Sequence, residues 1–353
     1  MMTRRELLAA SLSASTTALL TQGSALAEAS ASKGYLGGAP TSFTVRLMLA
    51  RTGKRPFDMV EHCHNLGLAG AETTLPSTDP AVVRKLRTQA ETYNMKLVLN
   101  TRLPKQESDI SQFDAAVAAC KETGAIALHA AMTARRYEQF DSLKAFQDNF
   151  AQCQASIALA EPVLRKHRMK LAIENHKGWR ADEQAAWMKR VGSEWVGVCL
   201  DFGNNLALCE PPDETFELLS PYAIFCHIKD MGVENYPDGF LLSEVSLGQG
   251  IINLKQRVEA LRSKDPNMLF CLEMITREPL KIPVFTDQYW ATFNDPAAPL
   301  PARDLAKVLD LVRKNPPKSP LPRTSGLNEE EQIKAEDDYN RQCIAYARQN
   351  LSL

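Results

Sequence analysis

Short apolar runs alternate with longer amphipathic stretches along most of the chain, from Thr44 to about Arg313. An apolar run of four to eight residues between polar stretches is typical of a buried β-strand, whereas apolar positions three and four apart are typical of a helix. Stretches such as Pro80–Tyr93 and Phe113–Thr123 have the helical spacing, and a proline is favoured in the first turn of a helix. The runs predicted as strands are Val45–Leu49, Ala69–Thr73, Met95–Asn100, Ala125–His129, Met169–Glu174, Val196–Asp201, Ala223–Ile228 and Met268–Glu273.

The alternation of strands and helices predicts an α/β fold, because such units form parallel βαβ crossovers. Eight units over about 270 residues fit a single-domain (β/α)8 TIM barrel, which typically takes about 250 residues. A doubly wound open sheet is the alternative. It is disfavoured because no GxGxxG motif follows the first predicted strand. Polar residues also gather at the C-terminal ends of several predicted strands, where barrels place their active sites.

The barrel is predicted for residues 44–313, and two segments of the chain fall outside its simple repeat of strands and helices. Between Glu273 and Pro301 lies an extended loop after the eighth strand, and a loop of this length at the catalytic face indicates a lid or a substrate wall. Residues 314–353 read as a Pro-rich linker followed by a partly amphipathic tail helix within Asn328–Leu353. We expect the tail to pack on the barrel, and a contact that makes a homo-oligomer is the alternative.

The first 27 residues have the features of a secretory leader. Arg4-Arg5 precede a weakly apolar run, Leu7–Leu20, and the small-x-small pattern Ala25-Leu26-Ala27 follows it. This predicts a twin-arginine-type signal peptide at 1–27 and a periplasmic or otherwise exported protein. An amphipathic helix that stays attached is the alternative. The run is shorter and more polar than the ~20 apolar residues of a membrane helix, so we expect no stable membrane insertion after leader removal.

Composition and charge narrow the function classes. The chain has 353 residues, 44% of them hydrophobic, and 41 Lys plus Arg oppose 42 Asp plus Glu, which is the range of an ordinary globular protein. A formal charge of −1 argues against a nucleic-acid binder, which needs a basic surplus to meet phosphates. Eight cysteines without a CxxC pair do not form a disulfide scaffold. Cys199, Cys226 and Cys271 lie within apolar runs and read as core residues.

Four consecutive predicted strands end in side chains that bind divalent metals. Each of these side chains follows the apolar run of its strand, where a carboxylate is costly to bury without a partner. The C-terminal ends of barrel strands also meet at one face. Taken singly, each residue would read as an ion pair or a capping acid, but all four in register favour a metal site. Three carboxylates and one imidazole suit one divalent ion, with Mn²⁺ first and Mg²⁺, Co²⁺ or Zn²⁺ as alternatives. The predicted ligands are Glu174, Asp201, His227 and Glu273.

At these stretches the sequence resembles the sugar isomerase/epimerase family with the xylose-isomerase-like barrel. The resemblance covers roughly Thr44 to Arg313 and implies one catalytic divalent metal held by the four predicted ligands. Some members of the family carry a histidine three residues after the metal aspartate, where this chain has Asn204. The extra histidines of the related apurinic-site endonucleases are incomplete here, which argues against DNA repair. The matching stretches are Ile173–His176, Cys199–Asn204, Cys226–Asp230, Leu247–Gly250 and Leu272–Glu273.

The ligand set also predicts a mechanism. A metal that chelates a sugar carbonyl and its neighbouring hydroxyl acidifies the C–H bond between them and stabilises an enediolate. Glu174 and Glu273 are our choice for the acid/base pair. Lys229 is expected to polarise or protonate a substrate oxygen, and an ion pair with Asp201 or Glu174 is the alternative. Candidates for sugar binding are His176, Glu72, His129, Trp179, Asn204 and Arg277, although packing would also explain Trp179 and a structural role His129.

Three functions are consistent with the sequence. The first is an exported, divalent-metal-dependent isomerase or epimerase that acts on a small-molecule sugar or keto-sugar through an enediolate. The second is a metal-dependent lyase or dehydratase that eliminates from a keto-sugar or keto-glycoside after the same proton removal. The third is a non-catalytic sugar-binding barrel, which the intact four-ligand set argues against.

Overall fold

The structure is a computed structural model that describes residues 34–296 and 299–353. The predicted signal peptide at 1–27 lies outside these residues. The strands are β1 (Tyr35–Gly38), β2 (Gly70–Thr74), β3 (Lys96–Asn100), β4 (Ala127–Ala130), β5 (Leu171–Glu174), β6 (Val196–Asp201), β7 (Ala223–Ile228), β8 (Asp230–Tyr236), β9 (Gly239–Val245), β10 (Leu269–Leu272) and β11 (Leu280–Ile282).

The α-helices alternate with these strands as predicted, and the helix at Pro80–Tyr93 has the predicted bounds at both ends. In chain order they are α1 (Thr44–Arg51), α2 (Met59–Asn65), α3 (Pro80–Tyr93), α4 (Ile110–Glu122), α5 (Arg136–Gln139), α6 (Leu143–His167), α7 (Ala181–Val191), α8 (Pro212–Leu219), α9 (Leu254–Lys264), α10 (Asp287–Trp290), α11 (Ala302–Lys314) and α12 (Glu329–Asn350).

Eight parallel strands close into a barrel in the order β1-β10-β7-β6-β5-β4-β3-β2. The predicted (β/α)8 TIM barrel is therefore confirmed. Strands β2 to β7 and β10 each lie within two residues of a predicted strand. Small and apolar side chains fill the barrel interior, among them Cys199, Phe225 and Cys271. All eight cysteines are free and buried, in agreement with the expected core role of those in β6, β7 and β10.

The first predicted strand, Val45–Leu49, is wrong. This segment lies in α1, where Val45 and Leu49 are buried one helical turn apart, and a short apolar run does not separate a buried strand from a buried helix face. The first barrel strand is β1, which pairs with β10 and β2 and so extends the barrel to residues before Thr44. A Cβ on Gly37 would lie 3.1 Å from the carbonyl oxygen of Gly70, so this strand pair approaches closely because both positions are glycine.

An antiparallel sheet of β8, β9 and β11 accompanies the barrel. Strands β8 and β9 were not predicted, although Pro237-Asp238-Gly239 is a turn signal between them. The predicted extended loop after the eighth barrel strand is present, and it contains β11 and α10. Because β8 begins two residues after β7 ends, this sheet adjoins the C-terminal end of the barrel.

The predicted tail helix is α12, and it packs on the barrel. The buried Glu336 carboxylate accepts a hydrogen bond from the Val45 amide at 2.7 Å and pairs with Arg46 at 3.0 Å. The Asn340 side chain donates to the Ser42 carbonyl oxygen at 2.8 Å. The tail therefore supports the segment that follows β1. Within residues 34–296 and 299–353, no helix is both long and apolar enough to cross a bilayer.

Candidate active site

The structure brings the four predicted metal ligands together at the C-terminal ends of their strands. One ligand atom from each of Glu174, Asp201, His227 and Glu273 lies within 4.8 Å of all the others. The His227 Nδ1 atom lies 3.2 Å from the Glu273 Oε2 atom and 3.7 Å from the Glu174 Oε1 atom. All four side chains are buried. The cluster therefore forms at the face of the barrel where the sequence predicted it.

The chemistry of this cluster fits a divalent cation. Among the described residues, the buried His227 Nδ1 has no hydrogen-bond partner, although it faces three carboxylates. Burial raises the pKa of Asp201 to about 7, with Lys229 opposing the rise and Glu273 and Glu174 adding to it. Carboxylates held this close repel each other, and a cation between them relieves the repulsion. Three carboxylates and one imidazole suit Mn²⁺, Mg²⁺, Co²⁺ or Zn²⁺.

Backbone and side-chain hydrogen bonds fix the orientation of Asp201. Its Oδ1 atom accepts from the amides of Gly203 at 2.9 Å and Asn204 at 2.7 Å. The Asn175 side chain holds the backbone, since its Oδ1 accepts from the Asp201 amide at 2.7 Å and its Nδ2 donates to the Asp201 carbonyl at 2.8 Å. The Oδ2 atom of Asp201 is left to face the cluster. The sequence analysis did not assign Asn175 to the site, although it directly follows Glu174.

Glu72 and His129, predicted to bind sugar, lie inside the barrel and contact two of the predicted metal ligands, His227 and Glu174. The His227 Nε2 atom donates to Glu72 Oε2 at 2.6 Å, and the other Glu72 oxygen lies 3.1 Å from His129 Nδ1. His129 Nε2 lies 3.4 Å from Glu174 Oε2. Burial raises the pKa of Glu72, but the two imidazoles outweigh that effect and hold it at about 2. The Glu72 carboxylate therefore orients His227 and leaves its Nδ1 atom, the predicted ligand atom, facing the cluster.

We expect Glu72→Gln to weaken metal binding by about 10–100-fold, because a carboxylate that accepts from a metal-ligand histidine fixes its tautomer and raises its basicity. The dissociation constant of Mn²⁺, measured by competition with a chromogenic chelator, checks this. Glu61→Gln, at an exposed position on α2, is the matched control and leaves the constant unchanged. An affinity of Glu72→Gln within twofold of that of the parent protein contradicts the assignment.

Lys229 and Asn204 form a buried link across the cluster. The Lys229 ammonium lies 2.8 Å from Asp201 Oδ2 and 3.1 Å from Glu273 Oε2. Burial lowers the pKa of Lys229, but these two carboxylates outweigh it and raise the pKa above its usual value. Asn204 Oδ1 accepts from Lys229 at 3.0 Å, and its Nδ2 donates to Glu174 Oε1 at 2.9 Å. Both amide atoms of Asn204, a predicted sugar-binding residue, thus bind protein groups.

His176 and Arg277 are predicted sugar-binding residues whose side chains are partly exposed. The His176 Nδ1 atom bonds to the Thr133 carbonyl oxygen at 2.8 Å, and the ring is half-buried. Burial, with Lys177 adding to it, lowers the pKa of His176 to about 4, so the ring is neutral at pH 7. Nδ1 then carries the proton and Nε2 is an acceptor. Arg277 forms two hydrogen bonds with Glu244, at 2.7 and 3.1 Å, and its side chain is 30% exposed.

The side chain of Trp179 is not exposed at the site, as a residue that stacks on a sugar ring would be. Its side chain is fully buried, and its ring packs on Phe150 and Trp187 at centroid distances of 5.4 and 5.3 Å. The structure therefore places Trp179 in the core, which is the packing alternative that the sequence left open.

We expect Trp179→Ala to lower the free energy of unfolding by about 3–5 kcal/mol, because a large buried side chain is replaced by a cavity. Chemical denaturation checks the loss, and Trp179→Phe is the matched control with a smaller one. A stable Trp179→Ala protein with weakened sugar binding would show that the ring contacts substrate after all.

The Gly248-Gln249-Gly250 loop encloses a carboxylate of the chain itself. The amides of Gly248 and Gly250 donate to Asp230 Oδ2 at 2.9 Å each, and the amide of Ile252 donates to Asp230 Oδ1 at 3.0 Å. These backbone donors are therefore committed to Asp230. This contact explains why the sequence carries both the glycine loop and an aspartate after the Lys229 position.

Sequence reasoning missed two charged residues of the site. Lys177 is 3% exposed, and its ammonium donates to Asn204 Oδ1. The signal for it was its place directly after the Glu174-Asn175-His176 stretch. Glu244, fully buried on β9, lies 3.9 Å from Lys229 and pairs with Arg277. Finding Glu244 required the hairpin of β8 and β9, which was not predicted.

A closed (β/α)8 barrel with a histidine and carboxylate cluster at its C-terminal rim defines a protein with a sugar isomerase/epimerase-like fold. The chain matches the xylose isomerase-like TIM barrel family over residues 55–308, and it belongs to that family. The resemblance noted in the sequence is thereby confirmed.

Individual proteins similar to this chain include a relative in sequence and several solved structures. The chain is 27% identical over 109 residues to a 3-oxo-isoapionate decarboxylase of Pectobacterium atrosepticum. The matched segment covers 30% of this chain and 40% of that protein. D-psicose 3-epimerase, crystallised in the presence of D-fructose, has a TM-score of 0.56 at 14% identity, over 90% of this chain and 100% of the other. The probable 3-DHS dehydratase of Bacillus anthracis has a TM-score of 0.52 at 14% identity, over 74% and 100%. The two structures are similar in fold.

Proposed function

We propose that the protein is a divalent-metal-dependent isomerase or epimerase of a sugar or keto-sugar, which moves a proton on a carbon beside the carbonyl group. The observation that carries this proposal is the convergence of Glu174, Asp201, His227 and Glu273 within 4.8 Å of one another. Membership in the xylose isomerase-like family and the fold shared with D-psicose 3-epimerase support it.

Glu174 and Glu273 are the pair that we propose to remove and return the proton. Burial alone would raise the pKa of Glu174, but the imidazoles of His129 and His227 hold it well below its usual value. Lys229 and His227 have the same effect on the pKa of Glu273, again against burial. Both carboxylates are therefore ionised at neutral pH. Either can accept the substrate proton as a base, and the one that accepts it is then the acid that returns it. They come from different strands of the barrel, β5 and the end of β10.

The remaining polar groups would hold the substrate and the ion. When bound, a divalent ion such as Mn²⁺ would polarise the substrate carbonyl as a Lewis acid. The neutral His176 ring offers an acceptor to a sugar hydroxyl, and Arg277 offers donors at its exposed side. The charged Lys229 ammonium, held between Asp201 and Glu273, would donate to a substrate oxygen on which negative charge develops.

A lyase is the second candidate. A decarboxylase, matched over 40% of its length, is the relative in sequence, and a probable dehydratase is among the proteins of similar fold, which supports elimination or loss of CO₂. Such reactions use the same stabilisation of negative charge beside a carbonyl. The four-ligand cluster disfavours the third candidate, a non-catalytic sugar-binding barrel, because binding alone needs no Lewis acid beside two carboxylates.

Product analysis in deuterated water tests this function. The Mn²⁺-loaded protein is incubated with ketoses and keto-acids, and the products are followed by NMR and mass spectrometry. An isomerase gives a product of the same composition that carries solvent deuterium beside the carbonyl. A lyase releases water, CO₂ or an aglycone instead. If no sugar exchanges deuterium or breaks down, the proposed chemistry is wrong.

We further propose that the protein is exported to the periplasm by the twin-arginine route, on the strength of Arg4-Arg5 and the Ala25-Leu26-Ala27 pattern. Replacing both arginines with lysine is expected to leave the full-length precursor in the cytoplasm, as judged by fractionation and mass. Export of the lysine variant at the parent rate would contradict this route.

A further inference from the structure

Lys177 is the one lysine or arginine of the site whose ammonium has no carboxylate within 4 Å among the described residues. The other two cations are paired, because Lys229 contacts Asp201 and Glu273, and Arg277 contacts Glu244. Lys177 is 3% exposed, and its contact is the Asn204 amide oxygen. An ammonium in this position has lost its water without gaining a carboxylate in direct contact, and Glu244 and Asp201 act on it only from beyond 4 Å.

Such an arrangement is costly unless a ligand compensates it. A buried charge without a charged partner is unfavourable, and proteins keep one where it serves a function. Burial lowers the pKa of Lys177 to about 8. The positive charges of Lys229 and Arg277 add to this effect, and the carboxylates of Glu244 and Asp201 oppose it only in part. An anion brought in with the substrate would reverse that penalty through a charge-assisted hydrogen bond.

The position of Lys177 ties it to the reacting groups. Its ammonium and that of Lys229 meet at the same atom, Asn204 Oδ1, and the Nδ2 atom of this amide donates to Glu174 Oε1 at 2.9 Å. One side chain therefore separates Lys177 from the carboxylate proposed as acid/base. A substrate held at the cluster would bring a neighbouring substituent within reach of Lys177.

We propose that Lys177 binds a carboxylate of the substrate, so that the substrate is a keto-sugar acid. This inference rests on the proposed function of the same site. One ammonium matches the single charge of a carboxylate. A phosphate carries more charge and is commonly held by a cradle of backbone amides, but the amides of Gly248 and Gly250 are committed to Asp230.

Calorimetry with matched sugars tests the inference. The probes are D-fructose, 2-keto-D-gluconate and D-fructuronate, which share one carbon skeleton and differ in whether the first or the last carbon is a carboxylate. D-fructose 6-phosphate is the phosphate arm. We expect one of the two acids to bind the Mn²⁺-loaded protein at least about tenfold more tightly than D-fructose, the gain typical of a charge-assisted contact.

Variants at Lys177 distinguish binding of the acid by the Lys177 ammonium from direct chelation of the metal ion by the acid. Lys177→Met is expected to remove the preference for the acid, so that within this variant the acid binds no more tightly than D-fructose, because the charged contact is lost. Lys177→Gln is a second variant that keeps a donor to Asn204. Lys255→Met, at an exposed position on α9, is the control. Thermal unfolding reports folding, and we expect no loss of stability in Lys177→Met.

The outcomes are distinct. The inference is overturned if neither acid binds, or if the acids bind no better than D-fructose. It is also overturned if D-fructose 6-phosphate binds more tightly than the acids, or if the preference for the acid survives in both Lys177 variants. Deuterium exchange measured on the same sugars reports the proposed function separately. Exchange that is equally fast with D-fructose leaves that function intact and removes only the carboxylate contact. An acid that binds through Lys177 without exchange or breakdown leaves the carboxylate contact intact and contradicts the proposed function.

Discussion

Glu174→Gln is expected to slow exchange of the substrate C–H proton with solvent by about 10²–10⁴-fold, the range that a positioned general base contributes. The amide keeps the shape of the side chain and can still contact Asn204, but it cannot accept the proton. Because Glu174 also belongs to the ligand cluster, the variant is measured at saturating Mn²⁺ after its metal content has been verified. NMR of the sugar in deuterated water gives the rate.

Glu91→Gln, at an exposed position on α3, is the matched control for this substitution and retains the parent rate. Glu273→Gln supplies an internal comparison. If the two carboxylates act from different sides of the substrate, each variant stops exchange from a different epimer or isomer. Metal-loaded Glu174→Gln that exchanges as fast as the parent protein would rule out Glu174 as acid/base.

Asp201→Ala is expected to abolish stoichiometric metal binding and to destabilise the fold. The substitution removes one of four ligands, and it leaves the buried Lys229 ammonium without its nearest partner, at 2.8 Å. Breaking a buried pair by removing one member typically costs about 3–5 kcal/mol. The amides of Gly203 and Asn204 lose their acceptor as well. Inductively coupled plasma mass spectrometry gives the metal content, and chemical denaturation gives the free energy of unfolding.

Two comparisons separate the metal effect from the effect on stability. Asp201→Asn keeps an acceptor for the Gly203 and Asn204 amides, so we expect it to lose the metal with a smaller loss of stability. Asp148→Ala breaks an exposed pair with Lys144 and should change neither quantity beyond about 1 kcal/mol. Asp201→Ala protein that retains one equivalent of metal would show that Asp201 is not a ligand.

The ligand cluster was predictable because each of its members directly ends an apolar run. Local sequence thus shows that Glu174 or Asp201 lies at a strand end, and the barrel fold then brings the strand ends together. The first strand was not predictable in this way. Tyr35–Gly38 ends in two glycines, which have low strand propensity, whereas the apolar Val45–Leu49 run that was chosen instead is a buried helix face.

The roles of Glu72 and Lys177 depend on contacts between distant parts of the chain. Glu72 orients His227, which lies 155 residues further along, and only the pairing order of the barrel reveals the contact. The small exposed fraction of Lys177 follows from how the loops after β5 and β6 pack, and so does the absence of a carboxylate within 4 Å of its ammonium in the part of the chain that the structure describes. Charge and sequence position alone do not show either property.

The metal content of the purified parent protein tests the account most directly. After incubation with excess Mn²⁺ and removal of free ion, native mass spectrometry is expected to show one divalent ion per chain. A chelator should remove the ion, and Asp201→Ala should not bind it. Absence of any bound divalent ion from the correctly folded parent protein, under the same conditions, would contradict the assignment of this cluster as a metal-dependent active site.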